Sequence, residues 1–192
     1  QLLPAAADYL GVAIGVFVPV IYTGLGKCDW YRDEVHQYGG KVVATTSTFK
    51  HAMAAQNQGA DAVILTSYEA AAHAGAIGAM AFIPAASDGL DIPIIAAGGI
   101  ADGRGLVAAL ALGADAVSMG TRFLVSHESA AHEMSKRAVI DQGVSDTLVS
   151  SNYDGIPVRV ISTPFAQALG RRRPPLLKIL WRARQMASQS DV

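Results

Sequence analysis

The sequence predicts an α/β fold of the (β/α)8 TIM-barrel type, with only about the last five βα units present in this chain. Short apolar segments rich in β-branched residues show no polar alternation. This pattern indicates strands buried on both faces, as in a parallel sheet covered by helices. The phrase GADAV also occurs at both 59–63 and 113–117, each time between a helical pattern and an apolar strand. Such a recurrence indicates a repeated βα unit.

The individual elements follow from this pattern. Strands are predicted at 17–23, 41–46, 61–66, 92–97 and 115–119. Helices are predicted at 30–40, 47–60 and 103–114. The second of these helices has Ser47 or Thr48 as its N-cap and Gly59 as its stop, because short hydroxyl side chains favour helix starts and glycine favours helix ends.

The length of the chain limits the barrel. A complete eight-stranded barrel takes about 250 residues and at least about 200, whereas the chain has 192. An open five-stranded α/β sheet is one solution. The abrupt start at Gln1 favours the other, in which three barrel strands lie in sequence not present here. We therefore expect a partial barrel at 1–170 and a basic tail or helix at 171–192, with a homo-oligomer or a partner segment supplying the missing strands.

Composition excludes several classes of function. The formal net charge of −1 gives no argument for binding nucleic acid or a membrane surface, and the basic segment 171–184 is interpreted as a solvated tail or final helix. No apolar run approaches the ~20 residues of a membrane span. The single cysteine, Cys28, cannot form an internal disulfide. We expect a cytoplasmic protein in which Cys28 is an unreactive thiol at the start of a surface helix.

Two glycine phrases close the last two predicted strands. IPIIAAGGIADGRG (92–105) places Gly98 and Gly99 after the fourth strand, and SMGTRF (118–123) places Gly120 and Thr121 after the fifth. In a barrel the active site lies at the carboxyl ends of the strands, often with a phosphate site after the last two. Glycine lets a ligand approach the backbone, and N–H groups at a helix start attract anions. The two phrases together predict a phosphate site, although each alone would indicate a tight turn without a ligand.

A competing motif lies within the first phrase. GRGLVA (103–108) fits the G-x-G-x-x-[GA] fingerprint of dinucleotide-binding folds. Its strand has already ended at Gly98, however, and no acidic residue closes the next strand to hold a ribose. We therefore reject a dinucleotide site here.

A histidine follows the third predicted strand in TSYEAAAHAGAIG (66–78). His73 should lie over the carboxyl ends of the strands, which makes it a candidate catalytic residue as well as a structural one. Glu69 is expected to orient the loop by accepting backbone N–H bonds. His127 and His132 are expected on an exposed helix, as surface residues.

Several of these phrases together resemble the flavin-dependent nitronate monooxygenases, formerly called 2-nitropropane dioxygenases, and the related flavin-containing enoyl-acyl-carrier-protein reductases. The resemblance runs from about Val18 to Leu169 and is most specific in IPIIAAGGIADGRGLVAALALGADAVSMGTRFL (92–124). It implies a (β/α)8 barrel that holds FMN at its mouth and no metal. It also implies a catalytic role for His73, as base or substrate anchor. The implied cofactor-binding residues are Ala71, Gly98, Gly99, Ser118, Met119, Gly120 and Thr121.

The chain departs from the family pattern Q-G-x-E-A-G-G-H-x-G at its flavin-ring half. Thr66 replaces the glutamine, Ser67 the first glycine, and Ala71-Ala72 the glycine pair. The added methyl groups could crowd the loop or require a conformation that alanine resists. The two glycine phrases predicted to bind the phosphate match the family pattern.

Three functions are therefore expected from the sequence. The first is FMN-dependent oxidation of alkyl nitronates or nitroalkanes with O2. The second is an enoyl or quinone reductase that uses NADH or NADPH. The third, from a different class, is a non-enzymatic barrel fragment that retains only the phosphate site. The first is the main prediction, and the departures in the EAAAHAG phrase and the length of the chain are the observations that support the third.

Overall fold

The computed structural model describes residues 4–24, 27–153 and 155–171. The predicted tail beyond Arg171 and part of the glycine break at 24–26 lie outside them. The described residues form eight helices and eight strands. In chain order these are α1 (Pro4–Gly15), β1 (Val20–Thr23), α2 (Asp29–Gln37), β2 (Lys41–Thr46), α3 (Phe49–Asn57), β3 (Ala62–Thr66), β4 (Ala72–His73), α4 (Ala79–Ser87), β5 (Ile94–Ala97), α5 (Gly103–Ala111), β6 (Ala116–Ser118), α6 (Thr121–Leu124), α7 (Glu133–Ile140), β7 (Thr147–Ser150), β8 (Val158–Ile161) and α8 (Pro164–Arg171).

The five predicted strands form one parallel sheet in the order β1-β2-β3-β5-β6. Every neighbouring pair in it is parallel, which confirms the prediction. The first strand is shorter than expected. It begins at Val20 because the two residues before Pro19 close the end of α1: Phe17 N donates to Ile14 O, and Val18 N donates to Ala13 O, each over 3.0 Å. Helix α1 itself was not predicted.

Helices cover one face of the sheet, and the burial on both faces that the sequence predicts is not observed in β1, β3 or β5. Alternate residues of its central strands are buried among the helices; these are Val42, Ala44, Val63, Leu65, Ile94 and Ala96. At the two edges the side chains are more open, as Val20 and Tyr22 of β1 and Ser118 of β6 show. No helix in the described part of the chain is long and apolar enough to cross a membrane.

The glycines of the repeated GADAV phrase end helices. Gly59 follows α3 with φ +83°, and Gly113 follows α5 with φ +102°. These left-handed conformations favour glycine because they bring a Cβ close to the backbone. The predicted stop at Gly59 is confirmed. Thr48 is the N-cap of α3, since its hydroxyl accepts a bond from His51 N over 3.1 Å.

The aspartates of the same phrase join neighbouring strands. Asp61 N donates to Val42 O, and Asp61 Oδ2 accepts from Val42 N, both over 2.8 Å. Asp115 makes the same pair of bonds with Ile94, over 2.9 and 2.8 Å. The GADAV repeat is therefore one structural unit used twice: it ends a helix, turns, and pairs the next strand with its neighbour at the correct register.

The described residues group into two compact units. The first contains the parallel sheet, in residues up to 70 and 75–120, and the second contains 71–74 and residues from 121 onward. The second unit holds an antiparallel sheet in the order β4-β8-β7. This sheet was not predicted. Its strands have two to four residues, and Ser150 is the one buried residue among them.

Candidate functional site

The glycine phrases follow two adjacent strands of the parallel sheet. Ala97 of β5 pairs with Thr66 of β3 on one side and with Ser118 of β6 on the other, so the three strands end at the same level. Gly98 and Gly99 continue from β5, and Met119 and Gly120 continue from β6. The two phrases thus leave neighbouring strands at the carboxyl edge of the sheet, where parallel α/β folds bind ligands.

Gly98 and Gly99 have backbone conformations that favour glycine. Their φ angles are +118° and +69°. A Cβ at Gly98 would collide with Ser67 Oγ and would lie 2.8 Å from Ala70 N. A Cβ at Gly99 would lie 3.0 Å from the Cβ of Glu69. The glycine pair therefore has a structural role, packing against the segment after β3, whether or not it also holds a ligand.

Gly120 is glycine for a different reason. No atom lies within 4 Å of the position that its Cβ would take. In the described part of the chain, no hydrogen bond is made by the backbone N–H of Gly99 or of Gly120. Backbone donors without a protein acceptor, beside open space, fit the phosphate group that the sequence predicts.

The nearby start of α5 is not available to an anion. Asp102 is its N-cap, and Asp102 Oδ1 accepts from Arg104 N over 2.9 Å. The Arg104 side chain, hydrogen-bonded to the same carboxylate, lowers the pKa of Asp102 to about 2. This helix terminus is therefore already neutralised by a charged side chain. The two glycines of GRGLVA lie within α5, in agreement with the rejection of a dinucleotide fingerprint.

Two hydroxyl groups at the end of β2 were missed by the sequence analysis. Thr45 Oγ1 and Thr46 Oγ1 are buried and have no hydrogen-bond partner among the described residues. Buried polar atoms in folded proteins are nearly always paired, so unpaired ones point to a missing water or ligand. The signal in the sequence was the pair of threonines that closes an otherwise apolar strand.

Two pockets of the parallel-sheet unit do not suit a phosphate. A pocket of about 280 Å³ lies at the amino ends of β5 and β6, where Asp91 and Asp115 contribute carboxylates. A smaller one, of about 170 Å³, lies between α4 and α5; Gly98, Gly99 and Glu69 line it together with apolar side chains such as Met80, Ile83 and Leu112. Negative charge disfavours an anion in the first, and the apolar side chains and the Glu69 carboxylate disfavour it inside the second.

Glu69 orients the loop after β3, as predicted. Its carboxylate oxygens accept from Ala79 N over 3.1 and 3.3 Å, at the first residue of α4. Gly78, the N-cap of that helix, has no side chain to do this. A distant side chain therefore supplies the cap.

His73 and Ala71 belong to the second unit. In β4, His73 pairs with Val158 of β8, and Ala72 pairs with Arg159. Ala72 has φ +58°, the left-handed conformation that glycine adopts far more easily. The family pattern has glycine at this position, so the conformation that alanine resists is indeed present. The role of His73 stays a prediction.

The remaining candidates are Thr121, His127, His132 and Cys28. Thr121 begins α6, also in the second unit. The exposed helix expected around His127 and His132 was wrong, although both residues are at the surface. His127 lies in a turn, and His132 is the N-cap of α7, where its Nδ1 accepts from Met134 N. Cys28 is buried, and burial raises the pKa of its thiol, in agreement with an unreactive group.

Comparison with known proteins is consistent with this geometry. A dehydrogenase of Rhodococcus jostii, named for a hydroxy-methyl-oxo-octahydroindene carboxyl-CoA substrate, is 43% identical over 131 residues, which is 68% of this chain and 37% of that protein. A probable nitronate monooxygenase of Staphylococcus saprophyticus is 40% identical over 136 residues, covering 65% of this chain and 38% of that protein. The structure of FabK from Thermotoga maritima superposes with a TM-score of 0.82 at 40% identity, covering 88% of this chain and 54% of that one.

These matches establish the fold and the family. The fold is α/β of the TIM-barrel type, as predicted, with about five βα units in this chain. The chain spans less than half the length of the two relatives and about half of FabK. The family described as nitronate monooxygenase matches residues 10–182. The chain therefore belongs to the nitronate monooxygenase family, a family of flavin-dependent oxidoreductases.

Proposed function

We propose that this chain is part of a cytoplasmic FMN-dependent oxidoreductase that oxidises alkyl nitronates with O2. The observation that carries the proposal is the pair of unbonded backbone donors, Gly99 N–H and Gly120 N–H, on loops that follow adjacent parallel strands. Family membership supports a flavin, and the name of the staphylococcal relative supports the nitronate.

Two roles are proposed for the residues of the chain: binding of the FMN phosphate and transfer of a proton. Backbone groups of Gly98, Gly99 and 118–121 would hold the FMN phosphate, and the unpaired hydroxyl of Thr45, on the strand face opposite the helices, offers a further polar contact. FMN, when bound, carries the electrons between nitronate and O2. His73 would take the proton from a neutral nitroalkane or hold the nitronate anion. Ala71 would lie against the flavin, as the family pattern implies.

The phosphate assignment is tested by substituting Gly120. A valine there meets no described atom within 4 Å, so we expect Gly120→Val to fold normally and to lose FMN. Gly103→Val is the matched control, because Gly103 is equally open but lies at the start of α5. Flavin content after reconstitution measures the result. Equal FMN content in the two variants would refute the assignment, and failure of the unmodified chain to bind FMN would favour the non-enzymatic fragment.

Gly99→Val should also abolish flavin retention, but it is the less specific test. Gly99 has φ +69°, so valine there strains the backbone as well as obstructing a ligand. FMN content unchanged in this variant would speak strongly against a phosphate at Gly99, since it would show that neither effect matters.

The role of His73 is tested with two forms of one substrate. As a general base, His73 acts on the neutral nitroalkane and has no proton to remove from the preformed nitronate. His73→Asn should therefore slow turnover of the nitroalkane ~10²–10⁴-fold more than that of the nitronate. An equal loss of turnover rate on both substrates would show that His73 has a structural or anion-binding role.

The Rhodococcus relative favours a second candidate. Its name describes a dehydrogenase of a carboxyl-CoA ester, which suggests that the same flavin site could oxidise or reduce an acyl thioester, with NADH or NADPH as electron donor in the reductive direction. Stopped-flow measurement of flavin reduction separates the two. Reduction by a nitronate supports the first candidate, and reduction by NADH or NADPH supports the second.

A further inference from the structure

The segment that bears His73 is attached to the parallel-sheet unit at two fixed points. On its amino side, Ala70 N donates to Ser67 O over 3.2 Å, and Ala70 packs against Gly98. On its carboxyl side, Gly75 approaches the chain so closely that a Cβ there would lie 2.5 Å from Thr66 O. Residues 71–74 are thus held by covalent connection at both ends.

Two further contacts close the base of this segment. Tyr68 N donates to Ile77 O over 2.8 Å. Glu69 reaches across to Ala79 N, as described above. The base of the segment is therefore closed by one backbone bond and by one acidic side chain, which supplies the cap that Gly78 cannot give to α4.

The same side chain lies against the glycine pair. The Cβ and Cγ of Glu69 would be 3.0 and 3.5 Å from a Cβ at Gly99. The stem of Glu69 thus packs on the loop proposed to hold the phosphate, while its carboxylate holds the residue at which α4 begins. Glu69 and Gly99 are both exposed, so the stem opposes only a displacement of the Gly99 backbone towards it.

We propose that Glu69 is a positioning residue that fixes the His73 segment and transmits to it the occupancy of the Gly98–Gly99 loop. Its carboxylate accepts hydrogen bonds from Ala79 N at the start of α4, and its Cβ and Cγ lie beside the Gly99 backbone. The proposed effect of ligand occupancy at Gly98–Gly99 on residues 71–74 rests on the proposed FMN site. The proposed fixing of residues 71–74 by Glu69 does not.

The first experiment measures hydrogen exchange of the full chain without ligand. Glu69→Ala removes a helix cap worth about 5- to 30-fold in a local opening equilibrium, so backbone amides of residues 70–80 should exchange faster by that factor. Glu69→Gln keeps an acceptor oxygen and should restore most of the protection. Thr48→Ala is the control, because it removes the cap of α3 and should accelerate exchange only at the start of that helix.

The outcomes of this first experiment are distinct. Faster exchange confined to 70–80 in Glu69→Ala, rescued by Glu69→Gln, supports the fixing role. Unchanged exchange at 70–80, or equal acceleration there in Thr48→Ala, overturns it. Amides of β2 and β3 serve as the internal check that the variant has kept its fold.

The second experiment adds FMN at saturation, with binding followed by flavin fluorescence. In the unmodified chain, FMN should slow exchange at 70–80. In Glu69→Ala, FMN should still bind but should no longer slow exchange there, because alanine keeps the Cβ beside Gly99 but lacks the carboxylate that holds Ala79. Equal protection by FMN in both proteins overturns the transmission. Absence of FMN binding to the unmodified chain overturns both the proposed function and the transmission, while the fixing role is decided by the ligand-free measurement.

Discussion

Two places in this chain have a backbone with positive φ but carry different residues there. In the loop after β5 the residues are Gly98 and Gly99, and in β4 the residue is Ala72. Glycine adopts this conformation freely, whereas an L-residue with a Cβ pays roughly 1–2 kcal/mol. The loop proposed to hold phosphate is therefore relaxed, and the segment that bears His73 is strained. Substitutions at these positions measure how large the difference is.

The largest loss of folding stability is expected from a substitution at Gly98. Gly98→Ala adds a Cβ at φ +118° against Ser67 and the backbone nitrogen of Ala70, which cannot move as a flexible side chain could. Backbone strain and overpacking together should lower the free energy of unfolding by about 3–5 kcal/mol. Urea denaturation measures it. Gly120→Ala, in open space with no such φ, should change stability by less than about 1 kcal/mol, and equal losses in both variants would contradict the assignment.

A smaller loss is expected at Gly99. Its φ of +69° is one that alanine can adopt with strain, and the nearest atom is the Cβ of Glu69 at 3.0 Å. Gly99→Ala should therefore cost about 1–2 kcal/mol in unfolding free energy, again by urea denaturation. A loss as large as that of Gly98→Ala would mean that the segment after β3 packs on Gly99 more rigidly than on Gly98.

The contact between Gly98 and Ser67 can be isolated by a double-mutant cycle. Ser67 is buried and donates its hydroxyl to Ala97 O over 3.1 Å, so Ser67→Ala alone should cost about 1 kcal/mol. The same substitution removes the Oγ atom that obstructs a Cβ at Gly98. The double variant should therefore be more stable than additivity requires, by about 1 kcal/mol. Strict additivity would show that Ala70 N, and not the hydroxyl, excludes the side chain.

The smallest expected change in folding stability is an increase, and it is expected at Ala72. Ala72→Gly removes the strain at φ +58° and increases the freedom of the unfolded chain, so it should raise the unfolding free energy by about 0.5 kcal/mol. Ala71→Gly is the matched control, because Ala71 has no positive φ, and it should lower stability by about 0.5–1 kcal/mol. Thermal unfolding of the two variants distinguishes them by the direction of the shift in Tm. Shifts in the same direction would contradict a strained Ala72.

The parallel-sheet unit was largely predictable because its signals are local. Each GADAV phrase contains its own helix stop, turn and strand, and its aspartate bonds to the next strand by a rule that repeats. The N-cap at Thr48 and the capping by Glu69 followed from side-chain chemistry at short range. The strain at Ala72 was foreseeable only as a departure from a pattern that has glycine there.

What escaped prediction depends on pairing over long distances. The partner of β4 is β8, and nothing in the residues around Ala72 specifies a strand of only two residues. The hairpin of β7 and β8 has partly exposed, mixed residues, so it shows no buried run. The hydroxyls of Thr45 and Thr46 look like ordinary strand residues until the structure shows that nothing bonds to them.

The pairing of β4 with β8 has a consequence for synthesis of the chain on the ribosome. His73 emerges about 85 residues before its strand partner Val158. At roughly 5–20 residues per second, that interval is about 4–17 s. During this time the parallel strands on either side can already form, while residues 72–73 have no strand to join. The segment that bears the candidate base is thus among the last to acquire its native backbone bonds, and a nascent chain that stops short of β8 leaves it unfinished.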